Sequence, residues 1–220
     1  MDLQCDTALN KLLSIYEGYS KEHRATIQPF HLLKVQSCVK EYKYRFDDIL
    51  IREPLIEHSG SLPIVATFLY PYINNSNVDL GRALIMLAIH DIGELVTGDQ
   101  NVFTNNNNES KGAIKLLDSY YHSIYYEMEN RTSDTARFAK AIDKITPDLV
   151  DLMTPVEITI NRYKMCTGKN PGEIVPLIKE FKHKYMTWNE FMTEFHLLIL
   201  NRLESNIDGF IKNKGSNLVH

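Results

Sequence analysis

One stretch of the chain gives a buried helix a reason to hold chemistry: it runs from Leu84 through His90, Asp91 and Glu94 to Thr97, Gly98 and Asp99. Its first part is apolar on nearly every side, which predicts burial, and it then places an imidazole and two carboxylates within five residues before stopping at a glycine. His90 and Glu94 are four apart and Asp91 and Glu94 three apart, so the three share one side of a helix. Burying such groups is costly unless something offsets the carboxylates' repulsion and desolvation, and a cation does so. For an isolated His-Asp dipeptide the ordinary alternative is a hydrogen-bonded pair near a helix end. Here two more segments add to it. Glu57-His58-Ser59 opens an apolar helical pattern (Leu62, Ile64, Val65, Ala66, Phe68, Leu69), and Asp143 sits in the amphipathic segment Ala139 to Ile145. Three separated helices each offer a metal ligand.

The order His58, then His90-Asp91, then Asp143 in a helical chain of this size resembles the HD-domain metal-dependent phosphohydrolases. Glu57-His58-Ser59, the His-Asp-Ile-Gly-Glu-Leu-Val-Thr-Gly-Asp run at 90–99 and the segment Ala136 to Ile145 are similar to the branch containing the small bacterial 5'-deoxynucleotidases, over residues 43–146. The resemblance implies that His58, His90, Asp91 and Asp143 hold one divalent metal ion and that Glu94 and Asp99 act in catalysis. Two imidazoles and two carboxylates form a mixed nitrogen and oxygen shell that suits manganese, cobalt, iron, nickel, zinc or magnesium. The implied reaction is hydrolysis of a phosphomonoester of a small molecule, a nucleotide, with Glu94 or Asp99 orienting water or handling protons. Glu94 has a competing role in fixing a ligand imidazole, and Asp99 one in shaping a turn.

A phosphate also calls for a guanidinium, whose planar fork matches its oxygens. Arg45 and Arg52 precede His58, and Arg45-Phe46 looks like the arginine-aromatic pair of the similar nucleotidases. Those proteins continue after the Thr-Gly-Asp with a proline-containing segment and a lysine. This chain instead runs from Gln100 into the tract Asn105–Asn108, with Lys111 the one substitute. Lys144 follows Asp143 directly and is expected to point away from it. His122 falls between the His-Asp pair and Asp143 without a second histidine in that interval, which favours one metal.

These groups need helices to position them. Apolar residues recur at threes and fours around 7–20, 28–44, 59–70, 79–96, 109–129, 133–146, 148–165, 171–184 and 187–212. The fold class is therefore all-α, and the resemblance implies an HD-type bundle of about eight to ten helices in a single domain. The expected parts are an N-terminal helical extension (1–42), the HD core (43–146) and C-terminal helices (147–220) that cover the core or form a homodimer interface. Ser133 is a candidate cap for the helix carrying Asp143, and Thr187 with Glu190 reads as a capping box for the last helix. The aromatic cluster Tyr120–Tyr126 is expected to pack a core or dimer face.

With 44% hydrophobic and 24% charged residues and a net charge of −4, the chain has a globular composition and no basic footprint for a nucleic acid polymer. Cys5, Cys38 and Cys166 form no C-x-x-C pair and fit a reducing cytoplasm. The longest apolar run, Ala83 to Ile89, is too short to span a bilayer, and no membrane partner is expected. Three alternatives remain: a non-catalytic metal- or nucleotide-binding regulatory protein, a hydrolase of a larger phosphoester or pyrophosphate, and a structural bundle with a buried polar network.

Overall fold

A computed structural model of the chain describes residues 23–27, 52–74, 77–98 and 109–216, with side chains described for 55–74, 77–98 and 109–213. The helices expected at 7–20 and 28–44, the Asn105–Asn108 tract, Arg45 and Asp99 lie outside the described residues, as does the Arg52 side chain. The described residues are all-α apart from one short antiparallel pairing. In it β1 (His23–Ile27) meets β2 (Arg52–Pro54), with His23 opposite Pro54 and Ile27 opposite Arg52.

The helices follow from local chemistry. In α1 (Leu55–Leu69), Leu55, His58, Leu62, Ala66 and Leu69 recur at threes and fours and are buried. A short 3-10 turn, Tyr70–Tyr72, ends it. The Asp79 side chain accepts from the Arg82 N–H at 3.0 Å and starts α2 (Leu80–Ile89). A turn over residues 90–93 leads into α3 (Glu94–Thr97), a single turn stopped by Gly98 at φ 73°. Then come α4 (Glu109–Leu116) and α5 (Ser119–Asn130). The expected Ser133 cap is present: its hydroxyl accepts from the Ala136 N–H at 3.0 Å and opens α6 (Asp134–Met153). Gly168 in the left-handed region ends α7 (Val156–Thr167). The Glu173 carboxylate accepts from the Asn170 N–H at 2.9 Å at the start of α8 (Pro171–Lys182), and α9 (Glu190–Ser216) closes the fold.

Three expected boundaries move. The 79–96 helix breaks at His90 to Gly93, which turns the chemical residues out of a continuous helix. The 109–129 helix breaks at Leu117-Asp118. The break expected at Pro147 falls instead at Thr154-Pro155, because α6 runs through the proline. Proline removes one backbone hydrogen bond there, but Asp148 and Asp151 just beyond it are fixed by ion pairs to Lys182 and Arg162. Thr187 does not cap the last helix: its hydroxyl donates to the Lys184 carbonyl at 3.3 Å, and the Asn189 side chain accepts from the Met192 N–H at 3.1 Å instead.

Helix α6 is the spine. Its Phe138, Ile142 and Ile145 meet Leu62 and Ala66 of α1, Met86 and Leu87 of α2, Ile124 and Met128 of α5, and Met192 and Ile199 of α9. A second core joins Ile160, Ile174 and Ile178 of α7 and α8 to Leu200, Leu203 and Ile207 of α9. The last helix thus covers the main core with Phe191 and Phe195 and the second with its later turns. Leu55, Ile92, Ala113 and Tyr125 make a small third core; in the tyrosine cluster Tyr125 is buried while Tyr120 and Tyr126 are exposed. Among the described residues no helix is long and apolar enough to cross a membrane.

The α3–α4 approach depends on Gly93: a Cβ there would lie 2.3 Å from the Glu109 carbonyl oxygen. Gly93→Ala is expected to push the two helices apart and cost about 1–3 kcal/mol in urea unfolding, the range for overpacking. Gly60→Ala in α1, where nothing lies within 4 Å, should be neutral or gain about 0.5–1 kcal/mol. Equal effects of the two substitutions would contradict the close approach.

Candidate metal centre

Two helices and one turn bring the expected ligands to one buried point. His58 comes from the first turn of α1, His90 and Asp91 from the turn after α2, and Asp143 from the middle of α6. All four are at most 7% exposed. His90 Nε2 lies 2.9 Å from Asp91 Oδ1 and 3.5 Å from Asp143 Oδ1. His58 Nε2 lies 3.6 Å from Asp91 Oδ2 and 3.8 Å from Asp143 Oδ1. The two imidazole rings are 5.8 Å apart, centre to centre.

The orientation of His90 has a local cause. Its Nδ1 donates to the Leu87 carbonyl at 2.8 Å, so Nε2 is the nitrogen that faces the carboxylates. Burial opposes a charge on this ring, but Asp91 and Asp143 outweigh it and raise the His90 pKa to about 10. Burial likewise opposes the Asp143 charge, while Lys144, His58 and His90 hold it well below the usual carboxylate range.

His58, His90 and Asp143 each offer a ligand atom, and these atoms lie within 4.8 Å of one another. Two imidazole nitrogens and buried carboxylate oxygens converging in this way fit a divalent cation of mixed nitrogen and oxygen preference. Asp91 also belongs to a second group, with Glu94 and Glu109, whose oxygens lie equally close. Glu109 was not singled out in the sequence. It starts α4 just after the Asn tract, and burial, then Asp91 and Glu129, push its carboxyl up to about 7 against Lys140 and His90.

The structure therefore brings His58, His90, Asp91, Glu94 and Asp143 together, with Glu109 added. Lys111 is exposed on α4. The expectation that Lys144 points away from Asp143 is wrong: its long side chain curls back until Nζ is 2.9 Å from Asp143 Oδ2. His122 donates to the Leu117 carbonyl at 3.1 Å. His196 is fully buried, with Nδ1 3.1 Å from that of His183 and Nε2 3.4 Å from Asp148. The sequence also gave no notice to Lys140 and Glu129, which form an ion pair beside Asp143. The spacing of three between Lys140 and Asp143 was an available signal.

Fold and site together define a class, an all-helical hydrolase that works with a divalent metal. The chain belongs to the HD domain family, whose family model matches residues 43–158. No curated protein matches the chain. Among solved structures, it is similar to a predicted metal-dependent phosphohydrolase from Magnetospirillum magnetotacticum at 20% identity and a TM-score of 0.61, over 92% of this chain and 96% of that one. A conserved hypothetical protein from Pyrococcus furiosus aligns at 17% identity and a TM-score of 0.49, over 84% of this chain and 97% of that one. The first likeness shows a shared fold.

The site sets a pH dependence. His90, raised to about 10, stabilises the metal-free fold fully below its ordinary 6.5, and that stability is lost as pH rises towards 10. Glu109, raised to about 7, favours the fold below its ordinary 4.5 and costs stability as pH rises through 7. Both slopes have the same sign. In chelator, the melting temperature should therefore fall from about pH 5 to about pH 10. With saturating manganese the fall should flatten or reverse, because ligands bind metal in their deprotonated forms. A metal-free melting temperature that rises between pH 7 and 9 would contradict the assignment.

Proposed function

We propose that the protein hydrolyses the phosphomonoester of a small molecule of the nucleotide type, using one divalent cation held by His58, His90, Asp91 and Asp143. The observation that carries this reading is the convergence of those four side chains, from two helices and one turn, beside the buried carboxylate of Glu94. When bound, the cation supplies positive charge that polarises a phosphoryl oxygen and lowers the pKa of water.

The chain's own groups divide the remaining work. Asp91 presents Oδ1 to His90 at 2.9 Å and Oδ2 to His58 at 3.6 Å, so one carboxylate faces both imidazoles. Glu94 has a carboxylate oxygen within 4.8 Å of one of Asp91 and takes the role of orienting the attacking water and accepting its proton. Glu109, in the same group, has its carboxyl pushed up to about 7 in the metal-free protein by burial and by Asp91 and Glu129. The reading assigns Asp99 a further catalytic role and Arg45 and Arg52 the substrate phosphate. The nucleotide preference rests on the resemblance of the 90–99 run to the 5'-deoxynucleotidase branch. A net charge of −4 favours a small phosphorylated substrate over a nucleic acid polymer.

The test is phosphate release from nucleoside mono-, di- and triphosphates, cyclic nucleotides and sugar phosphates. It uses metal-stripped protein resupplied with manganese, cobalt, magnesium or zinc. Turnover should require metal, favour nucleoside monophosphates and fall at least about 100-fold in Glu94→Gln, the range for loss of a proton-transfer group. Glu94→Gln should keep its metal, and Asp91→Ala should lose both metal and turnover. Protein that binds metal through Asp91 but turns over no substrate would overturn the reading in favour of a binding module.

A further inference from the structure

Asp143 divides its two oxygens. Oδ1 faces the imidazoles, 3.5 Å from His90 Nε2 and 3.8 Å from His58 Nε2. Oδ2 faces two ammonium groups, Lys144 at 2.9 Å and Lys140 at 3.8 Å. The two lysines differ in what holds them. Lys144 reaches Asp143 from the adjacent position on α6 and is the more exposed, at 22% of its side chain. Lys140 stands three residues before Asp143 on the same face of α6, is 14% exposed, and donates to Glu129 Oε1 of α5 at 2.8 Å.

Burying an ammonium carries a desolvation cost that only pairing and hydrogen bonding offset. Lys140 meets that condition only through acids of this corner: burial opposes its charge, and Asp143, Glu129 and Asp91 sustain it above the ordinary lysine range. Ligand carboxylates are typically oriented by such outer partners, and the orientation governs how tightly a metal is held. The Glu129 anchor fixes the Lys140 ammonium to α5, so its place relative to Asp143 is set by the packing of α5 on α6 and not by a flexible side chain alone.

We propose that Lys140, anchored by Glu129, is a positioning residue of the metal centre. It engages Asp143 Oδ2 and thereby turns Oδ1 toward His58 and His90, fixing the single-oxygen presentation that the cation meets. The pair also ties α5 to the site, so that the metal and the α5–α6 packing stabilise each other. The role rests on the metal-centre reading above, but it is tested by metal affinity and needs no turnover.

The experiment measures manganese binding to the full chain by competition with a chromogenic chelator, for the wild type and for Lys140→Met, Lys140→Arg, Glu129→Gln, Lys140→Met/Glu129→Gln and Lys144→Met. Lys140→Met and Glu129→Gln should each weaken binding by about 10- to 100-fold, the range for loss of an outer partner. The double variant should be little worse than the weaker single, because both changes break one chain of contacts. Lys140→Arg should recover part of the loss, and Lys144→Met should change affinity by less than the anchored pair. Glu129→Gln, close in shape to the original, keeps the test available if Lys140→Met does not fold. Activity at saturating manganese should return towards the wild-type value in Glu129→Gln, which a general folding defect would not allow. Unchanged manganese affinity in folded Lys140→Met or Glu129→Gln overturns the proposal and leaves the hydrolase reading intact. Wild-type protein that binds no divalent cation overturns both.

Discussion

Everything at the active end of this fold depends on one constraint: carboxylates buried together must be neutralised. Asp91, Glu94 and Asp143 are each at most 7% exposed, and Glu109 and Glu129 stand close behind them. In a low-dielectric interior their repulsion alone would open the structure. Three devices offset it within the chain: the imidazoles of His58 and His90, the ammonium groups of Lys140 and Lys144, and the proton that Glu109 keeps to about pH 7. A divalent cation is the fourth, and the donor set fits one. The same negative charge that makes the site costly to build makes it selective for a metal.

The second half of α6 solves a related problem differently. Asp148 and Asp151 are fully buried beyond Pro147, and each has a cationic partner, Lys182 from α8 and Arg162 from α7. Tyr163 donates to Asp151 at 3.1 Å, and His196 of α9 approaches Asp148. These pairs come from all three C-terminal helices and close the charge balance without a ligand. One helix therefore carries a metal-seeking carboxylate in its first half and self-neutralised carboxylates in its second. The C-terminal helices hold the spine on which Asp143 sits.

Much of this was legible in the sequence, and the reason is local. Helical periodicity marks the helices, and the unusual cost of an imidazole and two carboxylates in an apolar stretch marks the site. His58 and Asp143 could be tied to His90-Asp91 because their order resembles a known pattern, which the family match then supported. What escaped notice depends on contacts between distant segments. Glu109 becomes part of the site only because Gly93 and Gly112 let α3 and α4 approach closely. Lys144 was set aside on backbone geometry that its flexible side chain overrides, and the buried ion pairs of Asp148 and Asp151 kept α6 helical through a proline that marked a boundary in the sequence.

The proposed centre is one divalent cation held by two imidazoles and two carboxylates drawn from α1, the turn after α2, and α6. The most direct measurement is anomalous diffraction from crystals grown with manganese, recorded on both sides of the manganese absorption edge. One strong anomalous peak is expected within bonding distance of His58 Nε2, His90 Nε2, Asp91 and Asp143. A peak elsewhere, no peak at full occupancy of manganese in solution, or two peaks of equal strength would contradict it.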